Sequence, residues 1–293
     1  MTDRRLLRFN GRVAHSSLKG QVEADGFSDG ETYHIQSVVR DVLDKPNGRR
    51  QCQMVCGEAF IILERAQNHL FGFREKDGYV GWVRQEIERR PLQPTHRVSV
   101  PRAVSLEHPD VTKNANERIL PFGAGIEYWP RRDSERENTI RSTGWVCVKE
   151  EGHIPTPRYI RETQLVEKDW VGSDPAAIAE QFLTTPYIYG GDTGLGLDCS
   201  GLIQIAFHSC GLPCPRDSDM QAEFFKPIPN PELRRGDLVF WKGHVGMMLD
   251  QDTLVHANAH HMAVAKEPLE DAVSRIGRKE FGAVTGYGRH PAS

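Results

Sequence analysis

The sequence predicts an α+β protein in which two small β-barrels precede a mixed helix-and-sheet domain. Three observations carry that prediction. Up to about residue 165 the apolar residues come in short alternating runs broken by turn residues. Within that stretch a β unit of about 65 residues recurs. Near residue 173 the spacing turns helical.

The first strand-like segment spans 32–43, where Tyr33 and Ile35 alternate before Val38-Val39 doubles. The next, 53–63, ends in Phe60-Ile61-Ile62-Leu63. A third, His69 to Val83, places Asp77-Gly78 between Phe71/Phe73 and Tyr79/Val80/Trp82/Val83, the pattern of a tight hairpin. These aromatics read as barrel core rather than as a stacking platform for bases. Gly57 and Gly81 return as Gly123 and Gly144, at offsets of 66 and 63 residues, and Gly81-Trp82-Val83 reappears as Gly144-Trp145-Val146. Short strands repeated at this spacing suit small curved barrels. The charged tract Arg131–Glu137 reads as a solvated loop.

Ser173-Asp174-Pro175 opens a helix: a side-chain oxygen accepts an orphan N–H and proline suits the first turn. Ala176, Ala177, Ala179 and Phe182/Leu183 form its expected apolar face, and Thr184-Thr185-Pro186 ends it. The expected organisation is an extension (1–30), a first barrel (31–93), a second (94–168) and a last domain (173–293), with the junction at 163–174.

Length and charge agree. The 293 residues suit about two domains or three small ones, at roughly 150 residues per domain. Charged residues are 26% and the apolar set 38%, which excludes a mostly disordered or fibrous chain. A net charge of −3 is not the footprint of a duplex-DNA or anionic-membrane binder. No apolar run approaches a membrane span, and the N-terminus MTDRRLLRFNGR has no apolar core of a secretory signal, so a cytoplasmic protein is expected. Six scattered cysteines are expected to stay reduced.

The chemistry concentrates after Gly190-Gly191. A glycine-containing loop, Asp192-Thr193-Gly194-Leu195-Gly196-Leu197, leads to Asp198-Cys199-Ser200-Gly201, and the apolar residues Leu202, Ile203, Ile205, Ala206 and Phe207 then read as a helix. Cys199 therefore stands at a helix N-terminus, where unpaired N–H groups favour thiolate and can hold an oxyanion. Phe240–Leu249 reads as strand, turn, strand with His244 heading the second strand, and Thr253–Ala257 reads as the next, across a turn at Asp250-Gln251-Asp252. Antiparallel pairing brings His256 near His244. The chain order cysteine, histidine, polar partner is that of a papain-like thiol enzyme.

Thr185-Pro186-Tyr187-Ile188-Tyr189-Gly190-Gly191, Leu197-Asp198-Cys199-Ser200-Gly201-Leu202-Ile203, Arg235-Gly236-Asp237-Leu238-Val239-Phe240-Trp241, Gly243-His244-Val245-Gly246 and Val255-His256-Ala257 resemble, in that order, the NlpC-type cysteine peptidases. Gly57-Glu58 through Asp77-Gly78-Tyr79-Val80-Gly81-Trp82, and Pro215–Gln221, resemble the subgroup with bacterial Src-homology-3-like domains. That subgroup cleaves γ-D-glutamyl–diamino acid bonds in short cell-wall peptides. The resemblance implies a papain-like (NlpC-type) catalytic domain behind two SH3-like barrels. It implies Cys199 as nucleophile, His244 as base and acid, and His256 as the orienting third member. Tyr187 matches a tyrosine beside the nucleophile, and Asp198, Ser200 and Ser218 match substrate-subsite positions. Glu58 and Tyr79 match the pair that receives the peptide's free α-amine. Asp198 also reads as a helix cap, and Tyr187 and Tyr79 also read as packed aromatics.

No cofactor is expected. Cys52/Cys56 and Cys210/Cys214 have loose zinc spacing, with His208, His260 and His261 as further donors, but the pairs fall in different predicted domains, and no metal is expected. The expected partner is a small cell-wall peptide, with neither nucleic acid nor membrane. An acyltransferase or amidase of the same superfamily, and a non-catalytic binder of cell-wall fragments, are the competing readings.

Overall fold

The computed structural model describes residues 3–85, 93–129, 143–149, 157–228 and 232–292. The chain divides into two compact units, Met1–Trp170 and Val171–Ser293. Among the described residues no helix is long and apolar enough to cross a membrane.

The first unit begins with a parallel pair, β1 (Val13–His15) and β2 (Gly26–Ser28). A six-stranded sheet in the order β3-β6-β7-β8-β4-β5 follows, built from β3 (Glu31–His34), β4 (Val39–Leu43), β5 (Arg50–Val55), β6 (Ala59–Ala66), β7 (His69–Arg74) and β8 (Val80–Arg84). Its alternating residues bury one core of Tyr33, Ile35, Val42, Met54, Phe60 and Leu70, while Phe71, Phe73 and Trp82 pack with Leu63 in another. The strand-like segment 32–43 spans two strands. β3 pairs with β6, and β4 lies between β8 and β5. The change of direction falls where the alternation breaks, and Ile35 and Val38 there accept backbone hydrogen bonds from Gly57 and Cys56.

The Asp77-Gly78 hairpin joins β7 to β8 as expected, with Gly78 at φ 74°. Asp77 accepts from the Tyr79 N–H (3.1 Å) and pairs with Arg74, whose fully buried guanidinium also donates to the Gln53 carbonyl (2.9 Å). The expected solvated loop Arg131–Glu137 lies outside the described residues.

The 94–168 stretch has shorter strands. β9 (His96–Val98) sits between β12 (Gly125–Ile126) and β15 (Leu165–Glu167). β10 (Arg102–Ser105) pairs with β11 (Arg118–Pro121), and β13 (Trp145–Lys149) with β14 (Pro157–Arg161). Val98, Ala103, Ile126, Val146, Val148 and Ile160 form their common core. The recurring glycines Gly57 and Gly123 both take positive φ, 87° and 81°, where a side chain is strained.

The second unit places helices α1 (Pro175–Gln181), α2 (Cys199–Ser209), α3 (Ser218–Phe224) and α4 (Leu269–Lys279) around an antiparallel sheet. A short hairpin, β16 (Asp192–Thr193) and β17 (Gly196–Leu197), precedes α2. The sheet order is β18-β23-β19-β20-β21-β22, from β18 (Lys226–Pro227), β19 (Leu238–Trp241), β20 (His244–Met248), β21 (Thr253–Asn258), β22 (Ala263–Pro268) and β23 (Gly286–Arg289). The α2 helix packs on β20, β21 and α1, and α4 on β21 and β22. Asp174 caps α1 by accepting the Ala176 N–H at 2.9 Å, with Pro175 in the first turn. One residue of that helix differs from expectation: Ile178 is buried with Ala176 and Ala179, while Ala177 faces out. The larger side chain takes the inward position because it covers more apolar surface.

Gly72 of β7 shows how closely the first sheet is built. A Cβ there would fall 1.9 Å from the Ile61 carbonyl oxygen, beside the register shift between Ile62 and Glu64. Gly72→Ala is expected to cost about 1–3 kcal/mol by overpacking, read as a lowered urea midpoint at unchanged slope.

Candidate active site

Cys199 opens α2, and Asp198 is its N-cap. One carboxylate oxygen of Asp198 accepts from the Gly201 N–H (2.7 Å) and the Ser200 hydroxyl (3.2 Å), and the other accepts from the Gly190 N–H (2.9 Å). Behind the cap lies Arg216, 1% exposed, which forks to Asp198 at 3.0 and 2.7 Å and also donates to the Ser200 hydroxyl at 2.9 Å. Its Nε lies 2.7 Å from Asp192. Two buried carboxylates thus share one buried guanidinium, a bidentate geometry that lysine cannot reproduce. Only glycine fits at 201, where a Cβ would stand 2.4 Å from the Gly191 carbonyl oxygen. The loop is thereby drawn against the first turn of the helix.

The β19–β20 hairpin turns at Lys242-Gly243, with Gly243 at φ 85°, and sets His244 opposite Trp241. The N–H of Val245, the residue after His244, donates toward the Cys199 thiol, as does that of Ser200. This places the sulfur beside the backbone that carries the imidazole. The His244 ring is stacked on Phe281, centroids 5.2 Å apart and 5° from parallel, with Trp241 at 5.6 Å. Met248 pairs with Leu254, so strand alternation puts His244 and His256 on one face of the sheet. His244 Nε2 meets His256 Nδ1 at 2.9 Å. His244 Nε2 is thereby committed to the second histidine.

Burial dominates the electrostatics. It pushes the Cys199 thiol up to about 12, and the Asp198 carboxylate adds to the rise; the Val245 and Ser200 N–H groups and Arg216 oppose it. Burial also pushes His244 down to about 3, with His256 and Arg275 acting in the same direction. Both shifts favour the uncharged forms, the thiol of Cys199 and the neutral imidazole of His244. The helix terminus alone led us to expect a lowered thiol pKa; removal of the sulfur from water outweighs it. Tyr187 is half-buried, and its phenol pKa is raised by burial and by the neighbouring Cys199. Backbone bonds from the Tyr187 N–H to Met262 (2.9 Å) and from the Ile188 N–H to Leu197 (3.0 Å) hold that segment in place.

The structure thus places Cys199 beside Tyr187 and the Val245 backbone, one residue from His244, and joins His244 to His256. Asp198 and Ser200 lie beside them, committed to the Arg216 network. Ser218 begins α3, next to its N-cap Asp217. Glu58 and Tyr79 belong to the first unit. Glu58 accepts from Val55 N–H (2.9 Å) and pairs with Lys76 (2.6 Å). Tyr79 is 2% exposed in the barrel core, with the Arg74 guanidinium 5.6 Å above its ring.

Two charged residues escaped the sequence reading. Glu267 Oε1 lies 2.6 Å from His256 Nε2, and Arg275 pairs with the same carboxylate. The signal was register. Ala265 is the residue opposite His256 on β22, and Glu267 lies two further along on the same face. Donor atoms of His256, His261 and Glu267 also lie within 4.8 Å of one another, the set among the described residues that has a metal-holding arrangement. Arg275 occupies that carboxylate and competes with any cation. Neither cysteine pair enters the set.

Two outcomes follow. Arg216→Met strands Asp192 and Asp198 in the interior and is expected to cost about 3–5 kcal/mol in urea unfolding. Iodoacetamide reacts with thiolate, whose fraction grows tenfold per pH unit below the thiol pKa, so alkylation of Cys199 should climb steadily from about pH 6 to 9. A flat rate across that range would mean a preformed ion pair and overturn the neutral assignment.

Known proteins resemble this chain in sequence and in fold. Residues 184–275 match the NlpC/P60 family, and residues 42–86 match the bacterial dipeptidyl-peptidase Sh3 domain. A γ-D-glutamyl-L-lysine dipeptidyl-peptidase of Bacillus cereus is 26% identical over 217 residues, 67% of this chain and 61% of the relative. Dipeptidyl-peptidase 6 of Lysinibacillus sphaericus is 40% identical over 130 residues, 41% of this chain and 47% of the relative. The alignments thus span less than two thirds of these relatives. The crystal structure of an NlpC/P60 family protein from Bacillus cereus has the same fold, with a TM-score of 0.69 at 16% identity, over 89% of this chain and 99% of that one. With the family match lying on the cysteine helix and the histidine strands, residues 184–275 are an NlpC/P60 domain, and a bacterial dipeptidyl-peptidase Sh3 domain stands ahead of it at 42–86.

Proposed function

We propose that the protein is a cysteine peptidase that hydrolyses the γ-D-glutamyl–diamino acid bond of short cell-wall peptides with a free N-terminal L-alanine. The observation that carries this reading is the thiol at the start of α2, beside the strand whose imidazole is hydrogen-bonded to a second histidine. The name of the γ-D-glutamyl-L-lysine dipeptidyl-peptidase relative supports the class of bond, and that of dipeptidyl-peptidase 6 supports a dipeptidyl-peptidase activity.

In this reading His244 Nδ1 takes the Cys199 proton as the sulfur attacks the γ-carbonyl of D-glutamate. The tetrahedral oxyanion is held by N–H groups at the head of α2, with the Tyr187 hydroxyl beside it. The imidazolium then protonates the departing amine, leaving a thioacyl enzyme that water hydrolyses with His244 again as base. Forming charge only during the reaction suits a site that holds thiol and imidazole neutral at rest, because stabilisation is then spent on the transition state. His256 orients His244. Asp198 and Ser200 shape the subsite from the Arg216 network, and Ser218 contributes a hydroxyl from α3. Glu58 is assigned to the peptide's α-amine in exchange for Lys76, whereas Tyr79, enclosed in the barrel core, is left out of that role.

The test is mass-spectrometric assay of L-Ala-γ-D-Glu-meso-diaminopimelate and its N-acetyl form. Cys199→Ala should abolish turnover of the free peptide with an unchanged thermal unfolding curve; retained hydrolysis refutes the nucleophile. Glu58→Ala should lower kcat/KM on the free peptide by about 10–100-fold, the value of a hydrogen bond to a charged group, and the acetylated peptide should be a poor substrate for the parent protein. Equal rates on both peptides would remove Glu58 from the role. Adding an amine acceptor separates hydrolysis from acyl transfer by the product formed.

A further inference from the structure

Beyond the two histidines the hydrogen-bond chain continues to a carboxylate, and a carboxylate can only accept. Glu267 is held ionised: its pKa is lowered to about 2 against the effect of burial, by hydrogen bonds from His256 and Arg275. Arg275 is in turn fixed by Glu280 at 2.5 Å. The charged and titratable groups around Glu267 are therefore His256 from β21, His261 from the β21–β22 turn and Arg275 from α4.

The contact of 2.6 Å between Glu267 Oε1 and His256 Nε2 requires the proton on Nε2. Uncharged His256 then has its lone pair on Nδ1. Since that lone pair lies 2.9 Å from His244 Nε2, the His244 proton must be on Nε2. The lone pair of His244 is left on Nδ1, which has no histidine or carboxylate partner among the described residues. We infer that Glu267, locked by Arg275, is a positioning residue that dictates the tautomers of both histidines and so keeps His244 Nδ1 an acceptor. Its bearing on catalysis rests on the reading of His244 as the base; the tautomers themselves do not. Glu267 bonds His256 at the end of the relay away from His244. Its carboxylate imposes a direction on a chain of two rings, each of which, left alone, has two proton arrangements.

Long-range 15N–1H correlation spectra of the full chain with 15N-labelled histidine test this near neutral pH. The expected result is Nε2 protonated and Nδ1 unprotonated on both His244 and His256. A proton on Nδ1 of either ring in the parent protein overturns the inference, whatever the protein hydrolyses. In Glu267→Gln the amide can present its oxygen or its NH2, so the directional constraint is lost. The two rings are then expected to show mixed tautomers, and kcat on the free tripeptide should fall by about 10²-fold or more with KM changed less than about twofold. Glu267→Asp, which keeps an acceptor-only group, should restore the parent tautomers. If the spectra match the assignment but Cys199→Ala still hydrolyses peptide, the peptidase reading fails while the tautomer relay stands. Unchanged tautomers and kcat in Glu267→Gln would exclude the role.

Discussion

The buried fork of Arg216 across Asp192 and Asp198 is the contact on which the site depends. Asp198 meets three requirements with two oxygens: it caps α2, anchors the loop at Gly190 and neutralises the guanidinium. Because the cap is also half of an ion pair, the position of the Cys199 backbone is tied to the interior rather than to a solvent-exposed turn. Gly201 completes the arrangement by letting the loop backbone approach the first helical turn. A helix end built this way resists fraying, and an N-terminus that frays cannot hold N–H groups at fixed positions.

A second constraint is dryness. A solvated thiol at a helix terminus ionises readily, whereas this one is enclosed and its anion is penalised. The same enclosure removes charge from His244. Proton transfer between the two then exchanges a neutral pair for an ion pair in a medium that screens little, so the fixed dipoles of Val245, Ser200 and the helix end matter more than they would in water.

Much of this was legible in the sequence because the decisive signals were local. The Asp77-Gly78 turn, the Asp174-Pro175 helix start and the strand positions of His244 and His256 each depend on a few adjacent residues. In 32–43 the alternation breaks only at Val38-Val39, and the change of strand partner there is a tertiary event that a run of apolar residues does not encode. The chemical residues followed from their surroundings, glycines before Cys199 and around His244. Glu267 and Arg275 escaped for the opposite reason: Lys266-Glu267-Pro268 and Ser274-Arg275 look like ordinary surface sequence until strand register and helix packing fold them toward His256. The direction of the thiol shift was likewise beyond reach, since it depends on how much water the fold excludes.

The stacking of Phe281 on His244 has a mechanical consequence. Phe281 follows α4 by two residues, and α4 also supplies Arg275. One element therefore governs the imidazole pair from both sides, by an aromatic plate over the first ring and by the guanidinium behind the second. Loosening the C-terminal end of that helix would free ring rotation and weaken the remote counter-ion in a single motion, making the last turn of α4 a common tether for two otherwise separate controls.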